Sequence, residues 1–344
     1  MQNPVKVSFV VAMYNVAAYI EECVRSLCKQ TLDDIEIIVV DDCSTDNGVE
    51  VVMRTVEEYP KRKEQLKLIR HKQNTGVKEV RKDVIYQAKG EYVILIDGDD
   101  YVDVKMAELM YAKAKESDAD IVLCNNWSCT SEGNLFCPTL PEDISFDSDS
   151  IREASLNMEV CPTVWCRLIK RELLVDDRMV WPVAAMAEDV VIVLAASYLA
   201  KRYAYTSEPL YYYRQQPGSI TNNQSKDNIL RRFSGFVKNN EVVLSFFAEN
   251  GAQEKYLRGI IEIKMRAKNE LLPLFPSSKY RRMWMKTYPE MNRVMLLVNS
   301  IYKSTFREKL WFFAQVLGLY PRFSRILLSK RLKPEPIWRW NAYR

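Results

Sequence analysis

Val7–Met13, Ile35–Val40 and Tyr92–Ile96 are apolar almost from end to end. They have the length of strands, and they lack the alternation of strands with one wet face. Between them lie helical stretches: Val16–Lys29, Asp46–Tyr59 with Asp46 as a cap, and Val77–Ala88 closed by Gly90. Leu66–Arg70 adds a strand, Asp103–Glu116 a helix and Ile121–Cys124 a fifth strand. Strands buried on both faces and separated by helices predict an α/β fold, with a mostly parallel sheet covered by helices on both sides. Ligands of such sheets bind beyond the carboxyl ends of the strands.

The acidic residues fall at those ends. Asp41 and Asp42 close the second strand; Asp97, Asp99 and Asp100 follow the fourth. Five carboxylates on one rim repel unless a cation or a positive ligand relieves them. In Asp97-Gly98-Asp99 two carboxylates two residues apart can aim at one point, and Gly98 keeps bulk away from it. Hard carboxylate oxygens suit Mn²⁺ or Mg²⁺, which take diphosphate oxygens and water as further ligands.

Other chemistries are narrowed by composition. His71 is the only histidine, which excludes a histidine-rich metal cluster and any mechanism needing two imidazoles. No pair of the eight cysteines is spaced C-x-x-C. A zinc site from Cys124, Cys129, Cys137 and Cys161 is open on paper, but irregular spacing favours reduced thiols used as small apolar residues. No secretory signal is evident, and the apolar stretches Val190–Ala200 and Trp311–Tyr320 are too short to span a bilayer. The expectation is a cytoplasmic protein without transmembrane helices.

Asn125–Ser150 reads as a long polar excursion, followed by helices near Ile151–Asn157 and Ala187–Ala200. From Asn228 the chain reads as helices to its end, with breaks at Pro273, Pro276 and Pro321, and a boundary falls near Gln224. Between Ile301 and Arg344 ten Lys and Arg stand against two acidic residues. The stretch Lys309–Lys333 mixes Trp, Phe and Leu with basic residues. It reads either as an amphipathic helix on an anionic membrane, peripheral to its inner face, or as a helical subdomain with a solvated basic side. No nucleic-acid recognition module accompanies these charges.

Six segments, in order, resemble a family-two glycosyltransferase: VSFVVAMYNVAAYIEECVRSLCKQT, IEIIVVDDCSTDNG, NTGVKEVRKDVIYQAKGEYVILIDGDD, VWCRLIKRELL, AEDV and YYYRQQPGSI. They run from Val7 to Ile220, nearly two-thirds of the chain. The resemblance implies a GT-A fold, with a mostly parallel mixed sheet over residues 1–224 and a helical C-terminal region over 225–344. It implies an inverting, metal-dependent transfer from a nucleotide-sugar, a UDP-sugar first, to a saccharide or lipid-linked saccharide acceptor.

It also implies roles. Asp41 would hold the nucleoside, with Ala12 and Tyr14 framing the base. Asp97 and Gly98 would lie against the ribose or a metal-bound water, and Asp99 would bind the cation. Arg81 would keep positive charge near the donor. Arg214 and Ser219 would close over the diphosphate. Asp189 matches the catalytic base, Glu188 stands beside it on the acceptor side, and Trp165 offers a ring to the acceptor sugar. Three residues depart from the pattern: Cys43 replaces a Gly, Lys82 an Asn and Arg167 a Lys. A nucleotidyltransferase would carry a glycine-rich phosphate loop after the first strand, whereas the turn here is AMYNVAAY. Against a catalytically inactive nucleotide-sugar-binding or scaffold homologue, every acidic motif position is filled.

Overall fold

The computed structural model describes residues 4–216, 223–274 and 277–292. The chain divides into two compact units, Met1–Gln216 and Pro217–Arg344.

Among the described residues the first unit is built on nine strands: β1 (Val7–Met13), β2 (Ile35–Asp41), β3 (Leu66–Arg70), β4 (Tyr92–Asp97), β5 (Tyr101–Val102), β6 (Ile121–Thr130), β7 (Gly133–Cys137), β8 (Arg167–Lys170) and β9 (Tyr203–Arg214). Their order is β3-β2-β1-β4-β8-β6-β9-β5, with β7 paired to β6. The half formed by β3, β2, β1 and β4 is wholly parallel. In the other half the short β8 runs antiparallel between β4 and β6. The sheet is therefore mixed, as the GT-A expectation has it. Alternate residues of β1, β2 and β4 (Phe9, Val11, Ile37, Val39, Ile94 and Ile96 among them) bury into one core with the helices Ile20–Cys28, Gly48–Glu57 and Met106–Ser117.

One discontinuity breaks the pairing at the carboxyl end of the sheet. β8 pairs only with Tyr92 and Val93 of β4 and with Ile121–Leu123 of β6. The last residues of β4, which lead into the acidic turn, have no strand on that side among the described residues. A parallel sheet that loses a neighbour at its carboxyl end opens where a ligand can enter.

Several expectations are corrected. The polar excursion after Asn125 begins as a hairpin: β6 continues to Thr130 and β7 returns along it. Gly90 does not close a helix, since the helix Val77–Ile85 ends five residues earlier. A Cβ on Gly90 would stand 2.5 Å from the backbone nitrogen and hydroxyl of Ser8, so glycine there lets the chain enter β4 against β1. Asp46 is not the N-cap residue, which is Asn47, but it does take the N–H of the first helical residue. Its Oδ2 accepts from the Ala17 N–H at 2.8 Å and its Oδ1 from the Gly48 N–H at 3.1 Å, joining the turns after β1 and β2.

The second unit contains the helices Lys226–Glu249, Leu257–Asn269 and Ser278–Lys286. Phe233, Leu271, Tyr280 and Trp284 form a small core there. Buried Lys268 donates to the carbonyls of Trp284 and Thr287 where the last of these helices ends, which satisfies acceptors a helix end leaves open. No helix among the described residues is long and apolar enough to cross a membrane. The basic stretch Lys309–Lys333 and Pro321 lie outside the described residues.

Candidate active site

β1 lies between β2 and β4, with Met13 in register with Asp41 and Ala12 with Asp97. Two strand spacings, about 10 Å, therefore separate the backbones of Asp41 and Asp97 on one rim. The hydrophobic strands place these carboxylates, because each acidic residue ends a run that is buried along its length.

On the β2 side, Asp41 is buried. Its Oδ1 accepts from the Ser44 N–H at 3.0 Å and its Oδ2 from Arg70 Nε at 3.4 Å. Asp42 ties down the loop before the next helix. It accepts from the Thr75 N–H (2.9 Å), the Thr75 hydroxyl (2.9 Å) and the Gly76 N–H (2.7 Å), and it pairs with His71 at 2.9 Å. Burial works to raise its carboxyl, but these hydrogen bonds outweigh it and hold Asp42 below the usual carboxylate range. Tyr14 is 48% exposed at the mouth of the first turn. Next to it Asn15 takes a left-handed conformation, φ 53°, and accepts from the Thr45 N–H at 2.8 Å. Cys43, where the family pattern has Gly, is also left-handed at φ 64°.

On the β4 side, the Gly98 N–H donates to the Ala12 carbonyl at 3.0 Å, which folds the acidic turn over the end of β1. The three aspartates of the turn then part company. Asp97 faces Arg81. Asp99 accepts from Gln216 Nε2 at 2.9 Å. Asp100 points inward, accepting from the Tyr211 hydroxyl at 2.6 Å and the Arg214 N–H at 2.7 Å. Burial, with repulsion from Asp99 and Asp97, pushes the Asp100 carboxyl well above its ordinary value.

Arg81 answers the repulsion anticipated for the rim. Its guanidinium, 2% exposed, donates to Asp97 Oδ1 at 2.7 Å and to Asp189 Oδ1 at 2.6 Å, with Glu188 Oε1 at 3.4 Å. Burial disfavours its charge, but Asp189, Asp97 and Glu188 more than compensate and keep it ionised. Asp97 is raised to about 6, chiefly by burial, with Arg81 opposing and Asp99 and Asp189 adding to the rise. Glu188 is raised by burial and by the neighbouring Asp189. Glu188 and Asp189 open the helix Glu188–Leu199, entered through Ala187 at φ 60°. Asp189 also accepts from the Val164 N–H at 3.3 Å.

Arg214 lies at the end of β9. Its Nε donates to the Asp99 carbonyl at 2.9 Å and its Nη2 to Glu22 at 2.7 Å, and the guanidinium lies over the rings of Tyr19 and Tyr101. Trp165 is 5% exposed and stacks on Tyr211 at 4.4 Å and on Tyr213 at 5.6 Å. It fills the core instead of offering a ring to an acceptor, a correction that follows from the tyrosines of β9. Arg167 is buried and donates to the carbonyls of Thr163 and Cys161, fixing the loop that supplies the Val164 N–H. Ser219 lies outside the described residues. Sequence reasoning did not assign Tyr211 or Gln216 to the site. Both lie in or beside YYYRQQPGSI, so the motif was the available signal.

The family model described as Glycosyl transferase family 2 matches residues 8–175. EpsH of Bacillus subtilis, described as a putative glycosyltransferase, is 31% identical over 264 residues, 74% of this chain and 73% of that one. The chain belongs to glycosyl transferase family 2. EpsJ of the same organism, an uncharacterized glycosyltransferase, is 34% identical over 225 residues; the match spans 62% of each chain. Among solved structures, TarS 1-349 of S. aureus in complex with UDP-GlcNAc matches with TM-score 0.65 at 19% identity, over 96% of this chain and 93% of that one. A mannosyltransferase from Pyrobaculum calidifontis in complex with GDP-Man and Mn²⁺ matches with TM-score 0.51 at 17% identity, over 93% and 90%. The architecture of this family-two glycosyltransferase is GT-A.

Among the described residues no group of three or more His, Cys, Asp or Glu side chains is gathered to hold a metal. Two carboxylates are sufficient for a hard divalent ion that draws its other ligands from phosphate and water. Asp99 offers hard carboxylate oxygen of that kind, and Asp97, whose side chain keeps 32% of its surface open, stands two residues before it. The residues fit such an ion.

Proposed function

We propose that this family-two enzyme moves a sugar from a nucleoside-diphosphate sugar, with UDP as the nucleotide, to an acceptor hydroxyl, inverting the anomeric centre. The acceptor is a saccharide or lipid-linked saccharide in the assembly of a cell-surface or capsular polysaccharide. The observation that carries this reading is that one guanidinium, that of Arg81, spans Asp97 of the acidic turn and Asp189 of the helix start. Donor-side and acceptor-side carboxylates thereby share one rim.

Asp99 would hold Mn²⁺ or Mg²⁺, which when bound supplies charge to the departing diphosphate, with Asp97 against the ribose or a metal-bound water. Asp41, Ala12 and Tyr14 line the nucleoside end, and Tyr14 has the open ring such a role needs. Arg214 acts on the diphosphate side through its grip on the Asp99 carbonyl. Asp189 takes the proton of the acceptor hydroxyl. As it does so the hydroxyl oxygen bonds to the anomeric carbon, and the bond from that carbon to the diphosphate oxygen breaks. One displacement inverts the centre. Asp189 keeps 23% of its side-chain surface open while Arg81 and the Val164 N–H hold it from behind. Glu188 borders the acceptor side.

The test is a panel of nucleotide-sugars with Mn²⁺, scored for hydrolysis and transfer, with Asp189→Asn alongside wild type. Transfer is expected to vanish in the variant while nucleotide binding by calorimetry persists. A variant that keeps most of its transfer rate removes Asp189 from the base role, and a wild-type chain that consumes no donor removes the reading as a whole.

A further inference from the structure

Arg81 differs from an arginine that grips a ligand. Its guanidinium is almost wholly closed off, and the ends of its fork are taken by Asp97 on one side and by Asp189 with Glu188 on the other. Its Nε is buried without a partner, and both terminal nitrogens, the ends that could reach a phosphate, are engaged by carboxylates.

The helix that carries it is also fixed. Asp42 accepts from the Thr75 and Gly76 N–H groups at its start, so the end of β2 sets where the helix Val77–Ile85 begins. Asp189 in turn is held on its other oxygen by the Val164 N–H, in a loop that Arg167 secures through two carbonyls.

We infer that Arg81 is a positioning residue: its planar fork holds the first aspartate of the acidic turn and the carboxylate of Asp189 at one spacing, without touching the donor. This inference rests on the function proposed above. It replaces the donor-binding role that the resemblance implies for this position. Guanidinium suits the task, because two carboxylates on different elements can be met by two nitrogens of one rigid plane, whereas an ammonium is a point charge. A base misplaced by about an ångström costs on the order of 100-fold in rate, even when the change is remote from the bond being broken.

The experiment compares Arg81→Lys and Arg81→Met with wild type, measuring kcat, donor KM and calorimetric binding of UDP with Mn²⁺. Thermal melts establish that each variant folds. Arg81→Lys should lower kcat by about 100-fold, a loss larger than any fall in UDP affinity with Mn²⁺ that follows from releasing Asp97. In an Asp189→Asn background the same substitution should add little further loss, because the two residues act as one unit. Weakened UDP binding with kcat retained would make Arg81 a donor contact and overturn the inference. So would full additivity with Asp189→Asn. Failure of both variants to fold would reduce Arg81 to structural support and overturn it equally. A wild-type chain that moves no sugar would sink the proposed function, and this inference with it. An active wild type with an unaffected Arg81→Lys would sink the inference alone.

Discussion

Asp100 and Tyr211 meet at 2.6 Å between the end of the acidic turn and the last third of β9, more than a hundred residues later. Both are buried, and the other Asp100 oxygen takes the Arg214 N–H. This contact ties β9 to the turn that carries Asp97 and Asp99. An amide of the same shape can stand here, accepting from the Arg214 N–H and donating to the tyrosine oxygen. Asp100→Asn is therefore expected to melt close to wild type in urea. Asp100→Ala strands two buried polar groups and should lose about 1–3 kcal/mol. A large loss in the Asn variant would show that the charge, and not the hydrogen bonds, matters.

Cys43 should be better replaced by the glycine it displaced. At φ 64° a Cβ is strained by about 1–2 kcal/mol, and its thiol makes only a long contact to the Lys72 carbonyl at 3.8 Å. Cys43→Gly relieves the strain, while the added freedom of the unfolded chain returns part of the gain. A rise in Tm of a few degrees is expected by calorimetry. A fall would mean that the side chain contributes more packing than its contacts suggest.

The residues that sequence reasoning placed well are those whose neighbours are fixed by hydrophobicity. β1, β2 and β4 were legible because strands buried on both faces leave few polar positions, and the carboxylates at their ends follow directly. β8 and β9 were not. β8 has four residues with charged ends, and β9 carries Glu208 and Pro209 among tyrosines, so neither shows a clean period. Pro209 is accommodated where the register with β6 shifts. Within the site, the sequence shows that acidic residues need a counter-charge, but not which cation supplies it. Arg81 and Asp189 are separated by 108 positions, and only the fold joins them. Trp165 illustrates the same limit, since residue type does not reveal whether a ring is stacked inside the core or offered outside it.

Asp42 anchors the loop that starts the Arg81 helix, and it does so with both carboxylate oxygens. In Asp42→Asn an NH₂ group must face either the Thr75 or the Gly76 N–H, so about 2 kcal/mol should be lost at neutral pH. The pH dependence has a definite sign. Asp42 is held below the usual range in the fold, so its contribution is complete above the ordinary aspartate value of about 4 and is lost as pH falls through the lowered folded value. Urea melts of the two proteins should differ at pH 7 and converge as pH drops below about 4. A gap that stays constant on acidification would mean that the hydrogen bonds do not depend on the charge.

Gly98 leaves no room for a side chain. A Cβ there would stand 2.8 Å from the Ala12 carbonyl oxygen, 3.2 Å from Val16 Cγ2 and 3.3 Å from Ile20 Cδ1. The first of these is backbone in the centre of the sheet, so the turn has to move instead. Overpacking of this kind costs about 1–3 kcal/mol, and the displacement falls on the flanking Asp97 and Asp99. Gly98→Ala should therefore fold with reduced stability and bind UDP with Mn²⁺ at least tenfold more weakly, on the order of the 1.4 kcal/mol that separates decades of affinity. Calorimetry on the variant, read against its melt, separates the two effects. Destabilisation with undiminished nucleotide binding would show that the turn yields without moving its carboxylates, and that the close approach of Gly98 to β1 serves packing alone.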